Sequence, residues 1–357
     1  MKQGMTLSEL AREIERQSNA KRDFVTDTRD LRVSAAVTMA GHDKPSINAT
    51  LKGIGTFGIN RHALVQMGGW AKVPMAYIDR MIDEAPGLLG VNLNHWFNEA
   101  PAQRMVRTLD GTTRAFLSNR YRRIDNDQIA EAVLPVLMEA PGLRFESCAV
   151  TDRKLYLKVV NERVTRDVKV GDAVQAGLVI SNSEIGDGSV SVVPMVYRLQ
   201  CLNGLIVPSM GQRKYHVGRG VEAGDTAYEV FRDETMEADD KALLLKVQDT
   251  VRAALTDTGF DSIVEAFRAS LDDKIVGDPV KAVELTAKRF TLNENERTSV
   301  LRHLIEGGDL SRYGLLNAVT RASQDVPSYD RATELERVGG MVLDLDKSEW
   351  TKLAEAA

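Results

Sequence analysis

The sequence predicts an α+β fold: a central antiparallel β-rich region with flanking helices, followed by an all-helical C-terminal region. Three observations predict it. Between Leu143 and Val207 apolar residues alternate, as in Leu155, Leu157 and Val159 against Tyr156, Lys158 and Val160, and the β-branched run Val190, Val192, Val193 and Val196 adds to this. After about Ala223 the spacing becomes helical, with Leu244, Val247, Val251, Ala254 and Leu255 on one stripe. Between the two regimes, Glu222 to Asp240 holds eight acidic residues against one basic residue, Arg232. This divides the chain into an N-terminal helix and arm (1–45), an α+β core domain (46–222) and a helical C-terminal region (223–357).

The elements follow in order. Thr6-Leu7-Ser8-Glu9 fits a capping box, with Leu7, Leu10, Ala11 and Ile14 on one helical stripe. The charged stretch Arg16 to Arg32 reads as a linker or loose arm. Ile47, Ala49 and Leu51 alternate as a strand, interrupted by Gly53, Gly55 and Gly58. Asn60 caps a helix carrying Leu64, Met67 and Trp70, Pro74 opens a second, and Pro86-Gly87 ends it. Asp110-Gly111 predicts a hairpin turn, its second strand near Arg114 to Ser118. Asp125 or Asn126 caps the helix of Ile129, Val133, Val136 and Leu137. Thr151-Asp152-Arg153 makes a turn, and Val174–Ser183 and Ser189–Val207 read as two strands joined by Glu184 to Gly188. In the helical region Asp278-Pro279 starts one helix, Gly307-Gly308 ends another, and Gly339-Gly340 stops the stripe running from Tyr329 to Val338.

The 357 residues include 46 basic and 51 acidic ones, a net charge of −5. A protein basic all over is excluded; a nucleic-acid site would be a local patch. Two cysteines, Cys148 and Cys201, exclude a disulfide scaffold and a cysteine zinc module, and both read as core. No run approaches the roughly 18–20 apolar residues of a membrane span, and charges interrupt the N-terminal stripe. The expectation is a cytoplasmic protein of a bacterial host, with no membrane partner.

Catalytic signatures are sparse. Gly53 to Gly58 matches G-x-G-x-x-G, but no βαβ unit and no acidic residue follow, so it reads as a structural loop. The five histidines do not sit at ligand spacing, and no nucleophile motif or P-loop occurs. Asp152-Arg153-Lys154 near Glu146 reads as a polar turn rather than a metal-dependent nuclease site. No catalytic residue, metal or cofactor is expected.

Two basic–aromatic clusters carry more information. Arg104 to Asp125 holds Arg104, Arg107, Arg114, Arg120, Arg122 and Arg123 against Asp110 and Asp125, so the block is 6 − 2 = +4. Within it, Tyr121 lies among three arginines. The second cluster holds Arg213, Lys214, Tyr215 and Arg219 without an acid. Arginine grips phosphate through paired hydrogen bonds, and tyrosine stacks on unpaired bases. A shared site requires both clusters on one face. The alternative is that these arginines build ion pairs with the chain's spare acid.

The segment Leu117-Ser118-Asn119-Arg120-Tyr121-Arg122-Arg123-Ile124-Asp125-Asn126 resembles the L-S-x-R-Y-R-x-x-D-N stretch of a phage/plasmid-like protein family, domain of unknown function 932. Gly58 to Arg80, Gly177 to Leu205 and Tyr313 to Gly340 fit the same pattern. The resemblance implies a phage, prophage or plasmid protein in the company of replication, recombination and the countering of host defence. It transfers no catalytic residue. Size, a β-rich centre and the two clusters also suggest an analogy with phage single-strand annealing proteins.

The expected function is therefore non-catalytic nucleic-acid binding, single-stranded DNA favoured, in recombination or replication. Homo-oligomerisation through the helical region would suit it. The alternative is a module that inhibits a host defence or replication protein.

Overall fold

The computed structural model describes residues 1–36, 45–121, 123–207, 213–214, 233–254 and 259–356. Its N-terminal and middle parts mix helices with two sheets, and the part from Asp233 onward is all helical, as the two periodicities predict. Helix α1 (Leu7–Ala20) opens on the capping box between Thr6 and Glu9.

The first sheet has the order β1 (Arg22–Asp27), β5 (Gln103–Leu109), β6 (Thr112–Ser118), β4 (Gly55–Ile59), β3 (Ser46–Leu51), β2 (Leu31–Ala36). The stretch expected to be an arm thus supplies both edge strands. It was not legible because β1 buries only Thr26. Its conformation comes from the ladder with β5, Arg22 opposite Thr108 through Asp27 opposite Gln103, not from an apolar face of its own.

The β5–β6 hairpin is as predicted. Asp110 and Gly111 both take positive φ, 51° and 74°, the backbone of a turn that matches the strand twist. The glycine motif is also structural: Gly53 (φ 74°) lies in the turn from β3 to β4, and Gly58 pairs with Thr112 of β6.

Three helices cover this sheet: α2 (Arg61–Trp70), α3 (Met75–Glu84) and α4 (Pro86–Glu99). Pro86 ends one helix but also starts the next, which sequence reading missed; proline is tolerated in a first turn that needs no N–H. Trp70, Phe97 and Phe116 meet in the core with ring centroids 5.3–6.2 Å apart. On β2, the Asn94 side chain of α4 accepts from the Val33 N–H and donates to the Val33 carbonyl, both at 2.8 Å. Gly90 allows this approach, because a Cβ there would stand 2.8 Å from the Val33 oxygen.

The second sheet runs β11 (Asn203–Ile206), β10 (Ser191–Arg198), β9 (Asp172–Asn182), β8 (Leu155–Lys169), β7 (Leu143–Val150), all antiparallel. A two-residue strand, β12 (Arg213–Lys214), pairs with Ser191 and Val192 of β10. The stretch Ser189 to Val207, expected as one strand, is two. The chain reverses at Leu199–Leu202 with Leu202 at φ 51°, a turn without the glycine or proline that would announce it.

One face of this sheet presents Cys148, Leu155, Leu157, Val159, Leu178 and Ile180 to α1, α5 (Asn126–Glu139) and α6 (Asp233–Ala254). Cys148 is core, as expected, and burial pushes its thiol up to about 11. Cys201 is not: it lies half-buried in the turn after β10.

The remaining helices are α7 (Phe260–Asp272), α8 (Pro279–Arg289), α9 (Glu294–Gly307), α10 (Arg312–Ala322), α11 (Tyr329–Leu343) and α12 (Lys347–Ala354). They share a core with strand residues Val164, Val174, Val196 and Leu205. Gly339-Gly340 does not end α11. A Cβ at Gly339 would come within 2.3 Å of Thr320, so the glycine permits close packing against α10.

The seam between α11 and the sheet holds a buried ion pair. Lys158 of β8 and Glu336 of α11 are both fully buried and joined at 2.6 Å, with the ammonium 4.7 Å from the Tyr329 ring centroid. Removing one partner of such a pair leaves an uncompensated charge. Lys158→Met should cost about 3–5 kcal/mol in urea denaturation, and Lys158→Met/Glu336→Leu should recover most of it. Equal losses in the single and double variants would refute the coupling.

Candidate nucleic-acid interface

The hairpin β5–β6 and the loop after β9 meet in a buried ionic network. Arg107, with no exposed surface, donates from Nε to Asp23 at 2.8 Å, from Nη2 to Asp125 at 2.7 Å and from Nη1 to the Glu184 carbonyl at 2.7 Å. Arg114 donates to the Glu184 carboxylate at 2.6 Å, whose other oxygen accepts the Asn126 N–H at 2.7 Å. Lys21, following α1, reaches Asp125, Asp127 and Glu184 at 2.8, 3.0 and 3.5 Å.

Asp125, Asp127 and Glu184 offer oxygens within 4.8 Å of one another, the one metal-sized acidic group among the described residues. The Lys21 ammonium already sits among them, and Arg107 and Arg114 pair with the same carboxylates.

This geometry corrects part of the predicted site. Arg107 and Arg114 cannot hold backbone phosphates, because both are buried and neutralised by internal carboxylates. The bland alternative, arginines pairing with spare acid, holds for these two. Arg104 is half-buried with its guanidinium 4.8 Å from the Phe116 ring centroid, and burial alone lowers its proton affinity. Arg123 is exposed and reaches Asp23 at 3.2 Å. Arg120 is exposed on the turn after β6. Arg122, Tyr215 and Arg219 lie outside the described residues, as does most of the acidic run from Glu222. Of Arg213 and Lys214 only the strand placement is described.

Of the predicted residues, Tyr121 lines a groove of about 770 Å³ between the sheet, the loop Ser183–Gly188 and α11, whereas Arg104, Arg120 and Arg123 do not. Tyr121 forms one wall, its hydroxyl donating to the Ser183 carbonyl at 3.3 Å. Arg153 and Lys154 enter from the β7–β8 turn, and Arg337 from α11. Ser191 lies in the floor, and its backbone pairs with Lys214 of β12. Tyr121 of the first cluster thus lines the groove, and β12 of the second pairs with a strand whose Ser191 lines it. Asp187, Asp330 and Glu334 also line it, so its own charges balance.

Sequence reading missed Arg153, Lys154 and Arg337 as groove residues. The first two do lie at a turn, as read: the Thr151 N–H donates to the Lys154 carbonyl at 2.9 Å. Their shared groove with Arg337 exists only once α11 packs back on the sheet.

A family model described as domain of unknown function (DUF932) matches residues 115–326, more than half of the chain. The chain belongs to this family. No curated protein and no solved structure matches it. The DUF932 segment begins inside β6 and includes Tyr121, the turn with Arg153 and Lys154, the loop Ser183–Gly188 and β12. Lys21, Arg107 and Arg114 precede it, and Arg337 follows it. No described helix is long and apolar enough to cross a membrane.

The network predicts an acid limit. Burial works against the charged form of Asp125, yet Arg107 and Lys21 hold its carboxyl below its ordinary value. A depressed carboxyl stabilises the fold above its unfolded pKa, and the contribution is lost as pH falls through the folded value. Urea midpoints should therefore drop below about pH 4. Asp125→Asn should cost about 3 kcal/mol at pH 7 and flatten that acid limb. An unchanged acid limb in Asp125→Asn would remove Asp125 from its cause.

Proposed function

We propose that this chain is a non-catalytic nucleic-acid-binding protein of a mobile element, acting in the host cytoplasm and favouring single-stranded DNA. The observation that carries the reading is one groove lined by Tyr121, Arg153, Lys154 and Arg337, with β12 paired to the strand that carries its lining residue Ser191. Guanidinium and ammonium groups would grip phosphates, and an unpaired base would stack on Tyr121. Arg120 and Arg123 would extend the path on the exposed side. Recombination or replication is the process that the family resemblance favours. Annealing would need no nucleophile, metal or cofactor, and self-association would align several such grooves.

The test is fluorescence anisotropy with a labelled oligothymidine at two salt concentrations. Arg153→Ala/Lys154→Ala/Arg337→Ala should weaken binding at least about tenfold and reduce the salt dependence, since charge-assisted contacts and counterion release are both lost. Undiminished affinity in the folded triple variant would overturn the reading.

One observation favours a second reading, a protein-interaction module. Leu88, Val91 and Trp96 of α4 are 46%, 67% and 44% exposed. Under this reading a host protein would be captured in nuclease-treated lysate and lost with Val91→Glu.

A further inference from the structure

The groove's two turn cations already hold an anion. The Asp187 carboxylate lies 2.8 Å from Arg153 Nε and 3.6 Å from Lys154 Nζ. We propose that Asp187 is a built-in competitor of the groove, holding the two cations that a backbone phosphate must draw away from it. This rests on the groove being the nucleic-acid site.

The loop that carries Asp187 is fixed from several directions. The Asp187 N–H donates to Ser183 Oγ at 3.0 Å, and Ser183 Oγ donates to the Arg153 carbonyl at 3.0 Å. The Ile185 carbonyl accepts from Gln66 at 2.8 Å and lies 2.9 Å from His62 Nε2. Gly186 takes φ 78°, and a Cβ there would meet Leu117 at 2.8 Å. Glu184, one residue beyond Ser183, is buried in the ionic network. The competitor is therefore held rigidly, while its partners are long side chains, that of Arg153 being 53% exposed. Displacement needs only that Arg153 and Lys154 turn from one oxyanion to another, with no backbone movement. A phosphodiester presents the same geometry as a carboxylate to a guanidinium, with two oxygens accepting from one fork. Asp330, in contrast, is engaged elsewhere in the groove, accepting from Tyr156 and Thr151.

The consequence is a threshold. A single phosphate must exchange with an intramolecular carboxylate, whereas a polymer engages Arg337 at the same time and gains from several contacts. The groove would then discriminate against free phosphate and mononucleotides.

The test measures the full chain and three variants against labelled oligothymidine by anisotropy at two salt concentrations, with thermal melts to verify folding. Asp187→Asn should bind about two- to fivefold tighter, the range of an exposed ion pair. Its salt slope should steepen by about 0.7, one more uncompensated cation. Asp187→Glu, which keeps the charge, should bind less tightly than Asp187→Asn. Arg153→Ala/Lys154→Ala should bind more weakly. If Asp187→Asn binds equally or less tightly while Arg153→Ala/Lys154→Ala is impaired, the competitor inference fails and the groove stands. If all variants bind alike, the groove reading fails and the inference with it.

Discussion

Glu184 and the cations around it join the two sheets. The residue leaves the end of β9 in the second sheet and reaches Arg114 of the first, while Arg107 holds the Glu184 backbone from β5. Lys21 and Asp125 bring α1 and the start of α5 to the same point. A small apolar contact, Ile185 against Met105, Ala115 and Leu117, shields it. Buried ion pairs rarely add net stability over apolar packing, but a half-broken one is costly. Their value here is geometric: a mismatched docking of the two sheets would strand several charges away from water.

The same constraint explains why the first basic cluster misleads. Its arginines look alike in the sequence, and local charge counting cannot separate them. Asp23, the Glu184 carbonyl and Asp125 lie 84, 77 and 18 positions from Arg107, so its burial is decided by tertiary pairing. Arginines that face inward position the loop, whereas Arg120 and Arg123 lie exposed, Arg123 beside Asp23. The hairpin that bears both kinds was legible, because the Asp110-Gly111 turn depends only on local backbone chirality.

Other elements divide along the same line. Helix caps at Thr6, Asn60 and Asp278 were readable because each satisfies backbone groups within three residues. The edge strand β1, the reversal at Leu202 and the continuation of α11 through Gly339 were not, since each is imposed by a neighbour distant in sequence. The groove belongs to this second class. It needs the turn before β8, the loop after β9 and α11 to be assembled before any of its charges face one another.

The amide of Asn94 has a bearing on how copies of this molecule can meet. Its oxygen and nitrogen engage the backbone of Val33 as a neighbouring strand's peptide would. An extended segment from another chain could add to β2 at that point only by expelling a side chain anchored in α4. Free strand edges template fibrous growth, and natural sheets obstruct them by such devices. Helix α4 thus obstructs the β2 edge of the first sheet at Val33, where no further strand can pair through its peptide groups while Asn94 stays in place.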